Sequence, residues 1–539
     1  MQLSLEGINK NWDSYQKAGY ALPAFDYERV RQNTLQNPVW IHFGLGNLFR
    51  AYQAHAVQKL LNTDKMHTGL IAAEGYDYEI IEKSSLPHDN LSILATLNPD
   101  SSVEKTVIAS IMEALILDSE NETQFLRLKE IFANPSLQLA SFTITEKGYA
   151  TTSPDGKLLP AIAADLSASP QRPVSYLGKV AALLHHRFLS GGLPLAMVSM
   201  DNCSHNGDLL KSAMLAFAEH WSRAGFTAPD FMDYIKDSSQ VSFPLTMIDK
   251  ITPRPDPRVE ALLLKDGVED LAPVTTAKNS YAAPFVNAEK CEYLVIEDIF
   301  PNGRPPLEHA GILFTDRETV DKVEKMKVGT CLNPLHTALA IFGCLLGYDS
   351  IAQEMQEPVL KKLVEGLGYR EGLPVVVHPG IMEPKAYLDT VLRERFPNPF
   401  LPDSPQRIAT DTSQKLPVRF GETIKAYQRQ KDLQVSSLTL VPLVFAGWLR
   451  YLMGVDDAGN TFTPSPDPAL QTIAPLVADY RLDDSAKDLS RLDELLSNEK
   501  IFGVNLETAG LAEKVKQYFA ELTDRPGAVR VTLEKYTAG

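Results

Sequence analysis

The chain of 539 residues contains only four cysteines, and no two of them have CxxC spacing. A zinc ribbon or a redox-active cysteine pair is therefore not expected, and the low count is typical of free thiols in a reducing cytosol. Positive charge is also scarce, since the formal net charge is −16. Nucleic acid and anionic membrane surfaces both require a basic face, so we expect neither as the main partner.

Long hydrophobic runs are missing as well. The longest apolar run, Leu438 to Leu449, is interrupted by Pro442 and is followed by Arg450. It is too short to span a bilayer and predicts a buried helix. The N-terminal residues show no basic segment followed by an apolar one, so we expect no signal peptide and a cytoplasmic protein.

Strand and helix patterns alternate through the first half of the chain. A polar N-terminal arm (1–37) precedes several apolar strand patterns that end in polar loops, with helical stretches between them. This alternation predicts an α/β fold with a parallel, doubly wound sheet. The later residues are mostly helix-like. We place a domain boundary near residue 290, which gives a dinucleotide-binding domain over 1–290 and a mainly α-helical domain over 291–539.

The segment "GLGNLFR" lies between a predicted strand and a predicted helix. Glycines there let the backbone approach a pyrophosphate, and the helix N-terminus favours its negative charge, although the third glycine of the G-x-G-x-x-G pattern is missing. A purely structural turn is the alternative. The segment supplies these candidate cofactor-binding residues: Gly44, Gly46, Asn47, Leu48 and Arg50.

Glu74 and Asp77 follow the second predicted strand. An acidic side chain at this place accepts hydrogen bonds from the ribose hydroxyls and repels a 2′-phosphate, which favours NAD over NADP. The choice between the two residues stays open, and a solvated turn is the alternative for both.

Lys327, Asn333 and His336 lie within ten residues that lead into an apolar helix. Lysine can transfer a proton, asparagine can hold an oxyanion and histidine can fix a hydroxyl, so the three fit a carbonyl reductase that uses no metal. Each also has a structural interpretation. In particular, the Asn-Pro pair predicts Asn333 as a helix N-cap with Pro334 at the first helical position.

Two loops and one basic segment add further candidates. Asn202 lies in "SMDNCSHNG" after a predicted strand, where an ordinary turn is the alternative. Asp249 precedes a proline-rich loop, with a helix or turn cap as the alternative. Arg407, Lys415 and Arg419 bring positive charge into an acidic chain and can bind a carboxylate, unless they form a solvated helix face.

These segments together resemble the mannitol dehydrogenase family, the polyol-specific long-chain dehydrogenases. The resemblance covers residues about 38 to 425 in the family's order and rests on an ordered set of motifs. The motifs are "IHFGLGNLFRAYQA", "FTITEKGY", "SMDNCSHNG", "MIDKITP", "VIEDIFPNGRPPLEHAG", "EKMKVGTCLNPLHTALA" and "NPFLPDSPQRIATDTSQKLPVRF".

The resemblance implies a Rossmann-type N-terminal domain, a mainly helical C-terminal domain with an active site between them, and an NAD(P)-dependent reaction without a metal; the acidic residues Glu74 and Asp77 favour NAD. Lys327 matches the family's acid/base lysine, and Asn202 and Asn333 match its oxyanion-stabilising asparagines. His336 matches a substrate-contacting histidine. The remaining matches are a glutamate for proton exchange (Glu324), an active-site aspartate (Asp249) and two substrate-contacting basic residues (Arg407 and Lys415).

One departure concerns register, because the chain has one residue more between Lys327 and Asn333 than the mannitol-oxidising members. The segment "PDSPQRIATDTSQK" is most similar to members that interconvert D-fructuronate and D-mannonate, so we expect a uronate substrate. Mannitol 2-dehydrogenase and tagaturonate reductase activities are the alternatives within the family. A non-catalytic dinucleotide-binding sensor is the alternative of another class. A zinc-dependent alcohol dehydrogenase is disfavoured because no cysteine and histidine spacing supplies its ligands.

Overall fold

The computed structural model describes residues 1–483 and 488–538. Contacts between Cα atoms divide the chain into two compact units. Unit 1 comprises Met1–Asn98 and Ser102–Val320, and unit 2 comprises Pro99–Ser101 and Asp321–Gly539. The division lies later than the expected boundary near residue 290. Residues 291–320 belong to unit 1 because two strands within them pair with its sheet strands.

Unit 1 contains all the named β-strands. In chain order they are β1 (Tyr20–Ala21), β2 (Trp40–Phe43), β3 (Leu70–Glu74), β4 (Ser92–Leu97), β5 (Val103–Ile108), β6 (Ile111–Ile116), β7 (Leu139–Phe142), β8 (Leu195–Ser199), β9 (Val241–Ser242), β10 (Thr246–Asp249), β11 (Val274–Thr275), β12 (Tyr281–Ala282), β13 (Phe285–Glu289), β14 (Tyr293–Glu297) and β15 (Leu313–Thr315).

The central sheet has six parallel strands in the order β6-β3-β2-β7-β8-β9. Counted along the chain within this sheet alone, the order is 3-2-1-4-5-6, which is that of a Rossmann dinucleotide-binding domain. The predicted doubly wound parallel sheet is therefore confirmed. In such sheets ligands bind at the carboxyl ends of the strands where the order reverses, here between β2 and β7.

Helices cover both faces of this sheet. Ile41 and Phe43 pack into one buried cluster, whereas Trp40 packs into another, because successive side chains of a strand point to opposite faces. The helices that begin in unit 1 are α1 (Leu5–Lys10), α2 (Trp12–Lys17), α3 (Tyr27–Gln36), α4 (Ala54–Asn62), α5 (Glu122–Ala133), α6 (Pro160–Leu166), α7 (Tyr176–Leu189), α8 (Asn206–Arg223), α9 (Asp230–Lys236), α10 (Pro257–Lys265) and α11 (Arg317–Met326).

The polar N-terminal arm is folded onto unit 1. Its strand β1 pairs with β5 and extends a four-stranded sheet in the order β1-β5-β4-β13. Tyr15 is fully buried, and its hydroxyl donates to the carbonyl oxygen of Gln2 at 3.0 Å. A few apolar side chains of this predominantly polar segment are thus buried, which its overall composition does not predict.

Unit 2 is helical within the described residues. Its further helices are α12 (Asn333–Leu346), α13 (Ile351–Glu354), α14 (Pro358–Glu365), α15 (Pro384–Thr390), α16 (Pro405–Ile408), α17 (Thr412–Leu416), α18 (Glu422–Arg429), α19 (Leu440–Leu452), α20 (Leu470–Val477), α21 (Asp493–Leu496), α22 (Glu499–Phe502), α23 (Ala512–Leu522) and α24 (Ala528–Thr537). Five-residue π-helical turns at Lys327–Cys331, Val391–Arg395 and Pro417–Gly421 interrupt this series.

The most apolar helices lie inside the protein. Every residue of α19, which covers most of the apolar run noted in the sequence, is buried, so the predicted buried helix is confirmed. In the described part of the chain, only Arg317–Leu346 is long and apolar enough to cross a membrane, and 78% of its most apolar 18 residues is buried inside the protein. This burial is that of a core helix.

Candidate functional site

The glycine turn follows β2 at the point where the sheet order reverses. Gly44 has φ 104°, a conformation that side chains other than glycine rarely adopt. A Cβ atom on Gly44 would also lie 2.4 Å from the carbonyl oxygen of Thr143, just beyond β7. Gly46 is exposed, and a Cβ atom there would meet nothing within 4 Å. Gly44 is thus required by the turn itself, whereas Gly46 leaves backbone open to a ligand.

Glu74 ends β3, and its carboxylate reaches the glycine turn. It accepts hydrogen bonds from the amides of Leu45 at 2.9 Å, Tyr76 at 2.7 Å and Asp77 at 3.1 Å. Glu74 is buried, with 5% of its surface exposed. A carboxylate beside the glycine turn stands where a dinucleotide fold presents its ribose-binding acid.

Asp77 points to a different partner. Its carboxylate accepts from the hydroxyl of Thr276 at 2.5 Å, on the hairpin formed by β11 and β12. Burial acts to raise the pKa of Asp77, but hydrogen bonds from Ser280 and Thr276 bring it below its ordinary value. Asp77 therefore anchors the hairpin as an ionised carboxylate.

Arg50 is buried in the π-helical turn Phe49–Gln53 that precedes α4. Its guanidinium donates to the carbonyl oxygen of Ala283 at 2.7 Å and to the side chain of Asn47 at 3.0 Å. Burial lowers the pKa of Arg50 to about 10, so the group stays cationic at neutral pH. Its Nε is buried and lacks a hydrogen-bond partner among the described residues.

These features fit a bound dinucleotide. The strand order reverses at one edge of the sheet. The open backbone at Gly46 and the carboxylate of Glu74 lie at this edge, and the buried cation of Arg50 follows the same glycine turn. Asn47 donates to the carbonyl oxygen of Pro253 at 3.5 Å, and Leu48 occupies the N-cap position of the π-helical turn without a side-chain cap. The roles of Asn47, Leu48 and Arg50 toward a cofactor stay predictions.

Asp201 connects the loops that follow β7 and β8. Its carboxylate accepts from the amides of Ile144 at 2.8 Å and Thr145 at 2.9 Å, and from the hydroxyl of Tyr149 at 2.6 Å. Asn202 follows directly and is exposed at the same edge of the sheet as the glycine turn. This connection was not predicted from the sequence, although Tyr149 lies in the motif "FTITEKGY".

Asp249 is the last residue of β10 and pairs with Tyr293 on β14. It is buried, with 5% of its surface exposed. Asp249 does not cap the next helix, α10, whose N-cap is Asp256. Its catalytic role stays a prediction.

In unit 2, Lys327 begins the π-helical turn that joins α11 to α12. The amide of Leu332 donates to the carbonyl oxygen of Lys327 at 3.1 Å, which is the i to i+5 bond of a π-helix. Lys327 is 5% exposed, and Glu324 lies half-buried one turn earlier. A π turn holds one residue more than an α turn, and this one lies between Lys327 and Asn333, where the chain has its extra residue.

Asn333 is the first residue of α12, and Leu332 takes the N-cap position without a side-chain cap. The alternative interpretation of Asn333 as an N-cap is therefore wrong. Its carbonyl oxygen accepts from the hydroxyl of Thr337 at 2.9 Å and from Arg419 at 3.3 Å. The side-chain amide is not used for capping and remains able to donate to a ligand.

His336 follows one turn later and is neutral. Burial, together with the charges of the neighbouring arginines and of Lys415, lowers the pKa of His336 to about 3. Its Nε2 lies 3.6 Å from Oδ2 of Asp403 and is buried without a hydrogen-bond partner in the described part of the chain. Despite the short separation, the pair is not an ion pair at neutral pH, because the imidazole is uncharged.

The charges of four side chains act on this histidine, and we call these side chains the basic cluster: Arg395, Arg407, Lys415 and Arg419. The ammonium of Lys415 donates to the carbonyl oxygens of Ile408, at 2.8 Å, and Thr410. Burial, followed by the charge of Arg419, lowers the pKa of Lys415 to about 8. The sequence identified Arg407, Lys415 and Arg419 as basic, whereas Arg395 was missed.

Two family models match most of the chain. Residues 39–309 match the mannitol dehydrogenase Rossmann domain, and residues 319–523 match the mannitol dehydrogenase C-terminal domain. The chain belongs to the mannitol dehydrogenase family. The resemblance inferred from the sequence motifs is thereby confirmed.

Curated relatives place the chain within this family. It is 50% identical over 537 residues to a D-mannonate oxidoreductase of Thermotoga maritima, covering 99% of each chain. It is 29% identical over 513 residues to the D-mannonate oxidoreductase of Escherichia coli, covering 94% of this chain and 96% of the relative. A solved structure of Pseudomonas fluorescens mannitol 2-dehydrogenase with NAD and D-mannitol is 27% identical, with a TM-score of 0.67 and 99% coverage of each chain.

The structure brings the predicted residues of this family member together within each unit. In unit 1, Gly44, Gly46, Glu74 and Asn202 share the carboxyl edge of the central sheet. In unit 2, Asn333, His336, Arg407 and Lys415 lie close enough to interact electrostatically or through shared partners. Asp403 and Arg395 are the residues that sequence reasoning gave no role. Asp403 is revealed by its hydrogen bond with Arg407 and its approach to His336, and Arg395 by the effect of its charge on the pKa of His336.

Proposed function

We propose that the protein is an NAD-dependent oxidoreductase that interconverts D-fructuronate and D-mannonate. In the reductive direction the ketone of fructuronate, NADH and a proton give mannonate and NAD. The observation that carries the proposal is the basic cluster around a neutral His336 in a chain of net charge −16. A concentrated positive site suits the carboxylate that a uronate carries and a polyol lacks.

Each residue has a defined task in this reaction. Bound NADH supplies the hydride. Lys327 gives a proton to the carbonyl oxygen, and the amide of Asn333 stabilises the negative charge that builds there. Neutral His336 makes a hydrogen bond to a substrate hydroxyl, since an uncharged imidazole has both a donor and an acceptor nitrogen.

The remaining assignments follow the family pattern. Arg407 and Lys415 bind the substrate carboxylate. Asn202 is proposed as a second oxyanion donor, Asp249 as an active-site carboxylate and Glu324 as the group that exchanges protons with solvent. Gly44, Gly46 and Glu74 hold the cofactor. Alanine replacement of each residue, followed by separate measurements of kcat and KM, tests these roles.

A substrate panel tests the proposed function directly. With the three sugars at equal concentration, NADH oxidation should be faster with fructuronate than with tagaturonate or fructose. Arg407→Met should raise KM for fructuronate by at least about tenfold, because a charge-assisted contact contributes about 1.5–3 kcal/mol. The KM for any neutral ketose should change much less. Preference for fructose in the wild-type protein would contradict the uronate assignment.

Cofactor preference separates Glu74 from Asp77. Glu74→Ser should weaken NADH binding by about tenfold and reduce the preference for NADH over NADPH, because the carboxylate beside the glycine turn is lost. Asp77→Asn should leave the NADH to NADPH ratio nearly unchanged, since that side chain is bound to Thr276. Fluorescence titration with both cofactors measures this. If Asp77→Asn changed the NADH to NADPH ratio and Glu74→Ser did not, Asp77 and not Glu74 would be the residue that contacts the ribose.

A further inference from the structure

Asp403 lies just before α16, between two side chains assigned to the substrate. Its Oδ1 accepts a hydrogen bond from Nη2 of Arg407, and its Oδ2 lies 3.6 Å from Nε2 of His336. The residue is 7% exposed. Its carbonyl oxygen accepts from the amide of Ile351 at 2.9 Å, which fixes the backbone at the start of α13. The carboxylate is therefore presented from a rigid position.

Capping of α16 does not explain this carboxylate. The N-cap of α16 is Ser404, whose hydroxyl accepts from the amide of Arg407 at 3.3 Å. Asp403 precedes that cap, so its side chain is not needed to cap the N-terminus of the helix. The carboxylate contacts Arg407 and approaches His336, and the charge of Arg395 also acts on it.

Asp403 supplies a different constraint to each neighbour: it fixes the orientation of Arg407 and selects the tautomer of His336. The side chain of Arg407 is 62% exposed and has many rotamers, so one fixed N–H bond restricts where its other donors point. His336 packs at 5.1 Å from the ring of Phe396, which orients the ring plane. The ring plane alone does not select a tautomer. A carboxylate near Nε2 favours the proton on that nitrogen and leaves Nδ1 as an acceptor.

We propose that Asp403 is a positioning residue that holds Arg407 and sets the tautomer of His336. It acts through these two side chains rather than on the reacting atoms. The proposal rests on the proposed function in one respect, because Arg407 and His336 are taken to contact the substrate. It deepens that function by linking recognition of the substrate's carboxylate to recognition of its hydroxyl.

A double-mutant cycle tests the link to Arg407. Asp403→Asn should lower kcat/KM by about 30-fold, and Arg407→Met by about 100-fold. The double variant should be close to Arg407→Met alone, because two residues that act as one unit are not additive. The proposal would be overturned if the double variant lost kcat/KM by the product of the two single-variant factors. An unchanged kcat/KM in Asp403→Asn would overturn it as well. Asp349→Asn, an exposed aspartate of unit 2, is the matched control.

A pH profile tests the link to His336. Burial raises the pKa of Asp403 above its ordinary value, although Arg407 and Arg395 oppose this effect. The wild-type kcat/KM should therefore fall on the acid side as Asp403 takes up a proton, and this limb should disappear in Asp403→Asn. Asp403→Glu keeps the charge and should recover part of the loss. An acid limb unchanged in Asp403→Asn would overturn the assignment.

Stability is measured on the same variants. Asp403→Asn should melt close to the wild type, since the amide has the same shape and the bond to Ile351 is made by the main chain. A large loss of melting temperature with normal kinetics in Asp403→Asn would indicate a structural residue and overturn the proposal. The cycle uses whichever sugar the wild type reduces fastest. The wild-type preference tests the proposed function, and the cycle tests Asp403.

Discussion

Lys327→Ala should reduce kcat by about 10²–10⁴-fold, which is the usual contribution of a positioned general acid or base. The side chain is 5% exposed and begins the π-helical turn before α12, so no bulk water replaces it easily. Without the ammonium group, the carbonyl oxygen receives its proton only from solvent. NADH binding should be unaffected because Lys327 is not among the residues assigned to the cofactor.

Steady-state assays across pH 6–10, together with NADH titration, measure this effect. Lys325→Met is the matched control, because that lysine lies on the same helix with an exposed side chain. Added small primary amines should restore part of the lost turnover in Lys327→Ala by supplying the missing acid. Near-normal turnover of Lys327→Ala at every pH would remove Lys327 from the mechanism.

The fold was predictable where the sequence pattern is local. Apolar runs such as Trp40–Phe43 and Leu70–Glu74 end at glycine or acidic residues, and both are strands of the central sheet. Alternation of strands and helices then restricts the topology, because parallel strands need helical crossovers. The four-stranded sheet was not predicted, since it pairs the N-terminal strand β1 with β5, residues far apart in sequence.

The site was predictable by residue type but not by partner. Asn333 illustrates this: the Asn-Pro pair favours an N-cap, yet the π-helical turn ends at Cys331 and Leu332 takes the cap position, so that Asn333 is the first residue of the helix. Arg50 illustrates the reverse, because its charge suggests phosphate while its guanidinium bonds to a carbonyl oxygen of Ala283, far along the chain. Such long-range contacts leave no periodic signal in the sequence.

Asp403 and Arg395 show the same limit for the basic cluster. The segment "PDSPQR" is typical of a turn followed by a helix, and α16 begins within it at Pro405. The proposed role of Asp403 depends instead on the distance of 3.6 Å between its Oδ2 and Nε2 of His336. These two residues lie on different elements of unit 2. Chemistry at this site is therefore set by tertiary packing around residues whose types are individually ordinary.

Gly44→Ala should lower the unfolding free energy of unit 1 by about 3 kcal/mol, because strained backbone conformations cost about 1–3 kcal/mol and a steric clash adds to this. The residue has φ 104°, and the new methyl group would lie 2.4 Å from the carbonyl oxygen of Thr143. A backbone oxygen cannot rotate away as a side chain can. The turn must shift, and with it the amide of Leu45 that Glu74 holds.

Gly46→Ala separates stability from cofactor binding in the same turn. Its methyl group would meet nothing within 4 Å, so the thermal midpoint should match the wild type. The Kd for NADH should nevertheless rise, because the methyl group stands where the pyrophosphate approaches the backbone. Gly44→Ala should lose both stability and NADH affinity, as measured by differential scanning calorimetry and fluorescence titration. If Gly44→Ala kept the wild-type midpoint and affinity, the turn would tolerate a side chain and the close approach to Thr143 would not constrain it.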